Sequence, residues 1–197
     1  MSIIVFDTEA TDLTPGQICQ LSNLIVDGGQ VTGKNMFFAV DEMSEGAYEV
    51  HGMSIEDLDR LSGGERFEDR ADEVFEDFEN ASLWIGHNVS ADDRYLRVEM
   101  ERLGRKLSKK KTFCTMNYFT GVMNMARKFQ TGRPKPPKLE ELAQFFELTE
   151  EEIEQKSAEW FGGGAAAHDA RFDTAMSYLC VVKATQTGQL RGILYLL

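Results

Sequence analysis

Residues 2–13 read SIIVFDTEATDL, and the fold class follows from them. Ser2–Phe6 is a short apolar run, and two carboxylates, Asp7 and Glu9, end the strand that it begins. Side chains alternate along a strand, so residues two apart face the same way. Asp7 and Glu9 therefore share one face at a strand end, beside the polar turn Ala10-Thr11-Asp12. Such a pair is able to share a cation. Asp and Thr near a strand end also build ordinary turns, and this stretch alone leaves both readings open.

Outward from it, Ile18–Val26 (ICQLSNLIV) runs into Asp27-Gly28-Gly29, a hairpin-type turn, and Gln30–Val40 (QVTGKNMFFAV) follows. The three runs predict an antiparallel meander. Beyond Val40 the period becomes helical. Ser54-Ile55-Glu56-Asp57 fits a capping box. Phe67–Asn80 sets Phe67, Ala71, Val74, Phe75 and Phe78 on one stripe. Ser82–Ile85 is a short strand, Ser90–Leu103 a helix closed by Gly104, Lys111–Cys114 a strand, and Thr115–Phe129 a helix. Gly132–Lys138 (GRPKPPK) holds three of the four prolines and forms a stiff connector. Leu139–Phe146 is helical. Thr149 and the acids after it open a helix that ends near Trp160, and Asp169 to about Thr187 is the last helix. Strands followed by alternating helices and short strands predict an α/β fold with a central mixed sheet flanked by helices. No repeat or internal boundary breaks residues 1–197, which read as a single domain.

Composition narrows the function classes. With 197 residues, 42% hydrophobic and 27% charged, the chain is an ordinary globular sequence rather than a disordered or fibrous one. No apolar run reaches the ~18 residues of a bilayer span. The first residues lack the basic region of a signal peptide. Cys19, Cys114 and Cys180 are widely spaced and form no zinc pattern, which predicts reduced thiols in a cytoplasmic protein. The net charge of −12 hides a segregation: Arg102–Lys138 carries 11 Lys and Arg and no acid, and the remainder carries 10 basic and 33 acidic residues. That stretch is either a solvated surface balancing acidic helices or a contact surface for phosphates. Lys109–Lys111, Arg133 and Lys135 are its candidate phosphate ligands.

Two further clusters lie at strand-to-helix junctions or helix starts. Gly86-His87-Asn88-Val89-Ser90-Ala91-Asp92-Asp93 follows SLWI, and His168-Asp169-Ala170-Arg171-Phe172-Asp173 opens the last helix after GGGAAA. Each has a plain structural reading, Asn88 or Ser90 and Asp169 as helix caps. Taken together, Asp7, Glu9, Asp92 and Asp173 supply hard oxygen ligands. Unit charges ~4 Å apart repel by about 4 kcal/mol at an effective dielectric near 20, so a converging set needs cations or protons. Oxygen-only ligands suit Mg²⁺ or Mn²⁺. Two such ions assist phosphoryl displacement, and a histidine near neutral pKa is able to take a proton from water.

These motifs, in this order, resemble the DEDDh 3′–5′ exonucleases, a family with the ribonuclease H-like fold. The family pattern apolar-D-x-E-T-T-G-L appears as Val5-Phe6-Asp7-Thr8-Glu9-Ala10-Thr11-Asp12-Leu13. HNxxFDxxFL appears as His87-Asn88-Val89-Ser90-Ala91-Asp92-Asp93-Arg94-Tyr95-Leu96, and HxAxxDA as His168-Asp169-Ala170-Arg171-Phe172-Asp173-Thr174. The lesser signature HG(I/M)(S/T) appears as His51-Gly52-Met53-Ser54. Departures are Ala10 for Thr or Ser, Asp12 for Gly and Ala91 for Phe; none removes a carboxylate. The stretch 149–164 is longer than the family's usual link.

The resemblance implies residue roles. Asp7 bridges two metal ions, Glu9 and Asp173 complete the first site, Asp92 supports the second, and His168 is the general base. The spacing favours Asp92 over Asp93, which faces solvent. Backbone around Thr11 and Leu13 meets the terminal nucleotide, Leu13 and Met53 wedge against its base, and Asn88 contacts the scissile phosphate. His51 is either a substrate contact or a structural hydrogen bond. The implied activity is hydrolysis at the 3′ end of single-stranded DNA with two Mg²⁺ or Mn²⁺ ions, in repair or in proofreading beside a separate polymerase chain. An exoribonuclease and a silent nucleic-acid-binding module are the alternatives, and a DxDxT phosphatase fits less well because Glu9 replaces the second Asp. No membrane partner is expected.

Overall fold

The computed structural model describes residues 2–14, 16–126, 132–163 and 169–190. Strand β1 (Ile3–Ala10) is followed by β2 (Ile18–Asp27) and β3 (Gln30–Phe37). Next come α1 (Glu45–His51), α2 (Ile55–Ser62), α3 (Phe67–Asn80), β4 (Leu83–Gly86), α4 (Val89–Arg102) and β5 (Lys111–Cys114). Helices α5 (Thr115–Met123), α6 (Leu139–Phe145), α7 (Glu150–Phe161) and α8 (Ala170–Gln186) complete the described elements. The sheet order is β3-β2-β1-β4-β5. The first three strands are antiparallel, and β4 and β5 run parallel to β1. This is the expected mixed α/β sheet that begins with a meander.

The apolar run of β1 is buried on both faces, and its alternation sends successive residues to opposite layers. Ile3 and Val5 pack with Leu24, Val26 and Ile85 against Phe172, Ala175 and Met176 of α8. Ile4 and Phe6 pack with Leu21 and Trp84 against Val74 and Phe78 of α3 and Leu96 and Met100 of α4. Phe6, Phe78 and Trp84 meet edge to face, with ring centroids 4.9–5.9 Å apart. Each such burial contributes about 1.5–3 kcal/mol. These two layers fix the height and angle at which β1 carries its carboxylates.

Local signals set the boundaries. Ser54 and Asp57 form the expected capping box of α2. Helix α5 stops at Met123 because Asn124 turns left-handed at φ 45°, short of the expected Phe129, which lies outside the described residues. Helix α1 is not among the expected elements; it is capped by Ser44 and closed by Gly52 at φ 72°. The long 149–164 link contains α7, which packs on α8 and on the edge strand β3. At Gly33 of β3 a Cβ would collide with the Trp160 carbonyl, so this close approach requires glycine. Cys19, Cys114 and Cys180 are unpaired thiols. No helix among the described residues is long and apolar enough to cross a membrane.

The same register corrects the reading of the basic stretch. Lys111 aligns with Leu83, which aligns with Ile3. Four residues of strand, about 13 Å, separate that level from Asp7. Lys109–Lys111 thus sit at the end of the sheet away from the carboxylates. Lys110 pairs with Glu79 at 3.3 Å, Arg105 with Asp72 at 2.5 Å, and Lys135 with Glu141. Three of the eleven basic side chains are thus paired with acids of α3 and α6.

Candidate active site

Strand β1 remains paired with β2 past its apolar run: Asp7 faces Ser22 and Glu9 faces Gln20. The ladder slips between Glu9 and Ala10, where the chain leaves for the turn. Asp173, in the first turn of α8, comes from the layer that packs on Ile3 and Val5, the face of β1 that Asp7 and Glu9 share. Asp7, Glu9 and Asp173 each present a carboxylate oxygen, all within 4.8 Å of one another. Burial, followed by the charges of Asp92, Asp173 and Glu9, holds Asp7 well above the usual carboxylate range. Burial, then Asp173 and Asp92, pushes Glu9 up to about 8. Burial, then Glu140 and Asp169, raises Asp173 to about 7.

Asp92 reaches the site by another route. It is buried in the first turn of α4, and its Oδ1 accepts from Thr8 N at 3.1 Å and Thr8 Oγ1 at 2.7 Å. Burial raises Asp92 to about 6, against the pull of these two donors. Asp92 stands beside the three-carboxylate group and reaches Asp7 through its charge. Asp93 is not simply solvated: it accepts from Arg97 Nε at 2.6 Å.

A hard divalent cation fits this donor set. Three half-buried carboxylates whose pKa values are all raised by burial and by neighbouring carboxylates, with no cationic side chain among the causes, match oxygen-seeking ions such as Mg²⁺ or Mn²⁺.

The remaining expected residues divide. His168 lies outside the described residues. Asp169 is the N-cap of α8; it accepts from Arg171 N at 2.9 Å and pairs with the Arg171 guanidinium at 2.6 Å. Thr11 is buried and braces its own loop. Its N–H donates to Gln17 O, its Oγ1 accepts from Gln17 N, and its carbonyl accepts from Ser44 N. In this structure the Thr11 N–H is thus engaged within the loop.

Leu13 is 87% exposed and lies on a groove of about 440 Å³ with Glu9, Ala10, Val50, His51 and Tyr95. Met53 does not line this groove; it packs on Cys19, Val40 and Leu58. His51 Nδ1 accepts from Met53 N at 3.1 Å, which is the structural alternative, while its ring still borders the groove. Burial lowers its pKa. Asn88 is exposed in a left-handed conformation at φ 68° and precedes α4. His87 is a brace: its ring nitrogens lie 2.9 Å from Thr115 Oγ1 and 3.0 Å from Pro137 O.

Sequence reasoning missed three supporting residues. Thr8 points between the layers to Asp92. Tyr95, one turn after Asp92, contacts the Asp12 and Leu13 carbonyls at 2.7 and 3.1 Å. Gln20 donates to Asp169 Oδ1 at 2.9 Å and accepts from Ala170 N at 3.2 Å, pinning the start of α8 to β2. Only the placement of Thr8 between two carboxylates was a visible signal for any of them.

The exonuclease family RNase_T matches residues 4–178. A comparison with curated protein sequences returned no match. Among solved structures, the chain is similar to exonuclease I at a TM-score of 0.72 and 15% identity, covering 94% of this chain and 41% of that one. E. coli exonuclease I in complex with a dT13 oligonucleotide matches at 0.69 and 15%, covering 95% and 42%. The zinc-bound form of the E. coli exonuclease I–single-stranded DNA complex matches at 0.71 and 16%, covering 95% and 41%. The chain thus spans about two fifths of the length of these structures, and the likeness shows a common fold. With the family matching most of its length, the chain belongs to the RNase_T family of DEDDh 3′–5′ exonucleases, phosphodiester hydrolases that use divalent metals.

Proposed function

We propose that residues 1–197 form one exonuclease domain that hydrolyses the terminal phosphodiester at the 3′ end of single-stranded DNA. The observation that carries the site is the convergence of Asp7, Glu9 and Asp173 within 4.8 Å, with Asp92 held beside them by Thr8. Single-stranded DNA is favoured as substrate because structurally similar exonuclease I structures carry DNA strands.

Asp7, shared between two sites, would hold both Mg²⁺ or Mn²⁺ ions, with Glu9 and Asp173 completing the first site and Asp92 supporting the second. When bound, such ions supply Lewis-acid stabilisation of the attacking and leaving oxygens. The chain itself does the rest. His168 takes the proton of the attacking water as general base. Asn88, exposed ahead of α4, contacts the scissile phosphate. Leu13 meets the terminal base, a sequence-tolerant contact because every base has an apolar face. The groove beside Glu9, with Val50 and His51 on its walls, receives the terminal nucleotide.

The test is incubation of the purified protein with matched 5′-labelled DNA and RNA strands and Mg²⁺ or Mn²⁺. A ladder shortening from the 3′ end of DNA is expected. Cleavage of RNA alone would replace DNA by RNA as the substrate, and an absence of cleavage on both would overturn the reading.

A further inference from the structure

A single exposed leucine needs no explanation. Leu13 differs in how its backbone is held. Tyr95 Oη lies 2.7 Å from the Asp12 carbonyl and 3.1 Å from the Leu13 carbonyl. A hydroxyl has one hydrogen, so the shorter contact is the main one. Arg94 Nη2 donates to the Leu13 carbonyl at 3.1 Å, and its guanidinium lies 5.4 Å over the Tyr95 ring. Asp12 Oδ1 accepts from Leu13 N at 2.6 Å. The turn is thus fixed at its amide and at two carbonyls, while the Leu13 side chain stands 87% exposed at the groove. Ordering a turn costs conformational entropy, and an exposed apolar side chain returns little for it. That cost is offset when a ligand completes the burial, because a contact already in place binds more tightly than one that must be ordered.

The clamp also has a direction. Tyr95 follows Asp92 by three residues on α4, so both project from one side of the helix. One rigid element holds the metal-side carboxylate and the Leu13 turn together.

We infer that Tyr95, assisted by Arg94, is a positioning residue that holds Leu13 over the groove as an apolar contact for the substrate's terminal nucleobase. This rests on the exonuclease reading above. Tyr95→Phe removes the hydroxyl and keeps the ring. It is expected to raise KM for a 5′-fluorescein oligo-dT strand, and its Kd in Ca²⁺, by about fivefold, the scale of one hydrogen bond. The kcat should stay within about twofold, since the residue touches no reacting atom. Leu13→Ala should raise KM at least as far. The double variant should add little to Leu13→Ala, because the clamp acts through Leu13.

Unchanged KM in Tyr95→Phe, additive effects in the double variant, or a fall in kcat alone would overturn the inference. Arg94→Met, lacking the second side-chain donor to the turn, carries the same test should Tyr95→Phe fold poorly. Failure of the exonuclease reading has a separate signature: wild-type hydrolysis by Asp7→Ala, whatever the Tyr95 variant does.

Discussion

Thr8 donates its backbone N–H and its hydroxyl to the same oxygen of Asp92, at 3.1 and 2.7 Å. Both donors converge on Oδ1. Thr8 stands between Asp7 and Glu9 and points to the opposite layer, so β1 presents two carboxylates on one face and grips a third from the other. The first prediction is that Thr8→Val, which keeps the backbone donor and loses the hydroxyl, weakens Mn²⁺ binding to the metal-free protein. A loss near tenfold is expected, about 1.4 kcal/mol for a hydrogen bond to a charged group. Thr8→Ser should restore most of it. Equal Mn²⁺ affinities by titration calorimetry would show the hydroxyl to be idle.

The raised carboxylates make the metal-free fold sensitive to pH. Glu9 at about 8, Asp173 at about 7 and Asp92 at about 6 all lie above their unfolded values near 4. In the window between, the folded protein binds protons that the unfolded chain has released. Their contribution to stability is therefore complete below about pH 4 and is lost as pH rises through 6 to 8. In EDTA the melting temperature should fall from pH 5 to pH 8. Asp173→Asn should flatten that fall, and added Mg²⁺ should reverse it. A melting temperature that rises across this range in EDTA would contradict the cluster electrostatics.

Turnover should be lost when any ligand carboxylate is removed. Asp7→Ala, Asp92→Ala and Asp173→Ala are each expected to cost several kcal/mol of barrier, with tenfold in rate for every 1.36 kcal/mol. Asp93→Ala should be mild, because Asp93 is committed to Arg97. The readout is the single-turnover rate on a labelled strand. An inactive Asp93→Ala beside an active Asp92→Ala would reverse their roles.

His168→Ala should lower the rate by roughly 10², the scale of general-base loss. The wild-type rate should decline below about pH 6.5, histidine's reference value. An active variant with an unaltered pH profile would remove His168 from the chemistry.

The basic stretch should act only at one end. Lys109–Lys111 lie at the level of Ile3, away from the carboxylates. The Gly132–Lys138 connector leads into α6: Pro137 O lies 3.0 Å from the His87 ring, and the charge of Glu140 on α6 reaches Asp173. Among the described residues Arg133 and Lys138 are exposed and make no ion pair. Charge reversal of both should weaken oligonucleotide binding and flatten its salt dependence, by about 0.7 in log–log slope for each phosphate no longer neutralised. Reversal of Lys109 and Lys111 should leave the slope unchanged. The opposite pattern would place the strand along β5 instead.

The meander, the short parallel strands after it and the order of the acidic motifs are all legible in the sequence. These are local signals: strand alternation, turn glycines, the Ser54 and Thr149 caps, and fixed spacings around Asp7, Asp92 and Asp173. Tertiary packing supplied what depends on two distant segments meeting. It joined Asp173 of α8 to Asp7 and Glu9, and it tied Asp92 to Thr8 rather than into the three-carboxylate group. It packed part of Met53 on Cys19, Val40 and Leu58, closed the Thr11 N–H into its own loop and hung Leu13 from Tyr95. The register of β5 against β4 carried Lys109–Lys111 to the wrong end of the sheet for the site they were expected to serve. A side chain's type and its neighbours in sequence set what it is able to bind. Which donor or charge it meets is set by packing between layers, where a strand's alternation and a helix's angle bring residues far apart in sequence within bonding distance.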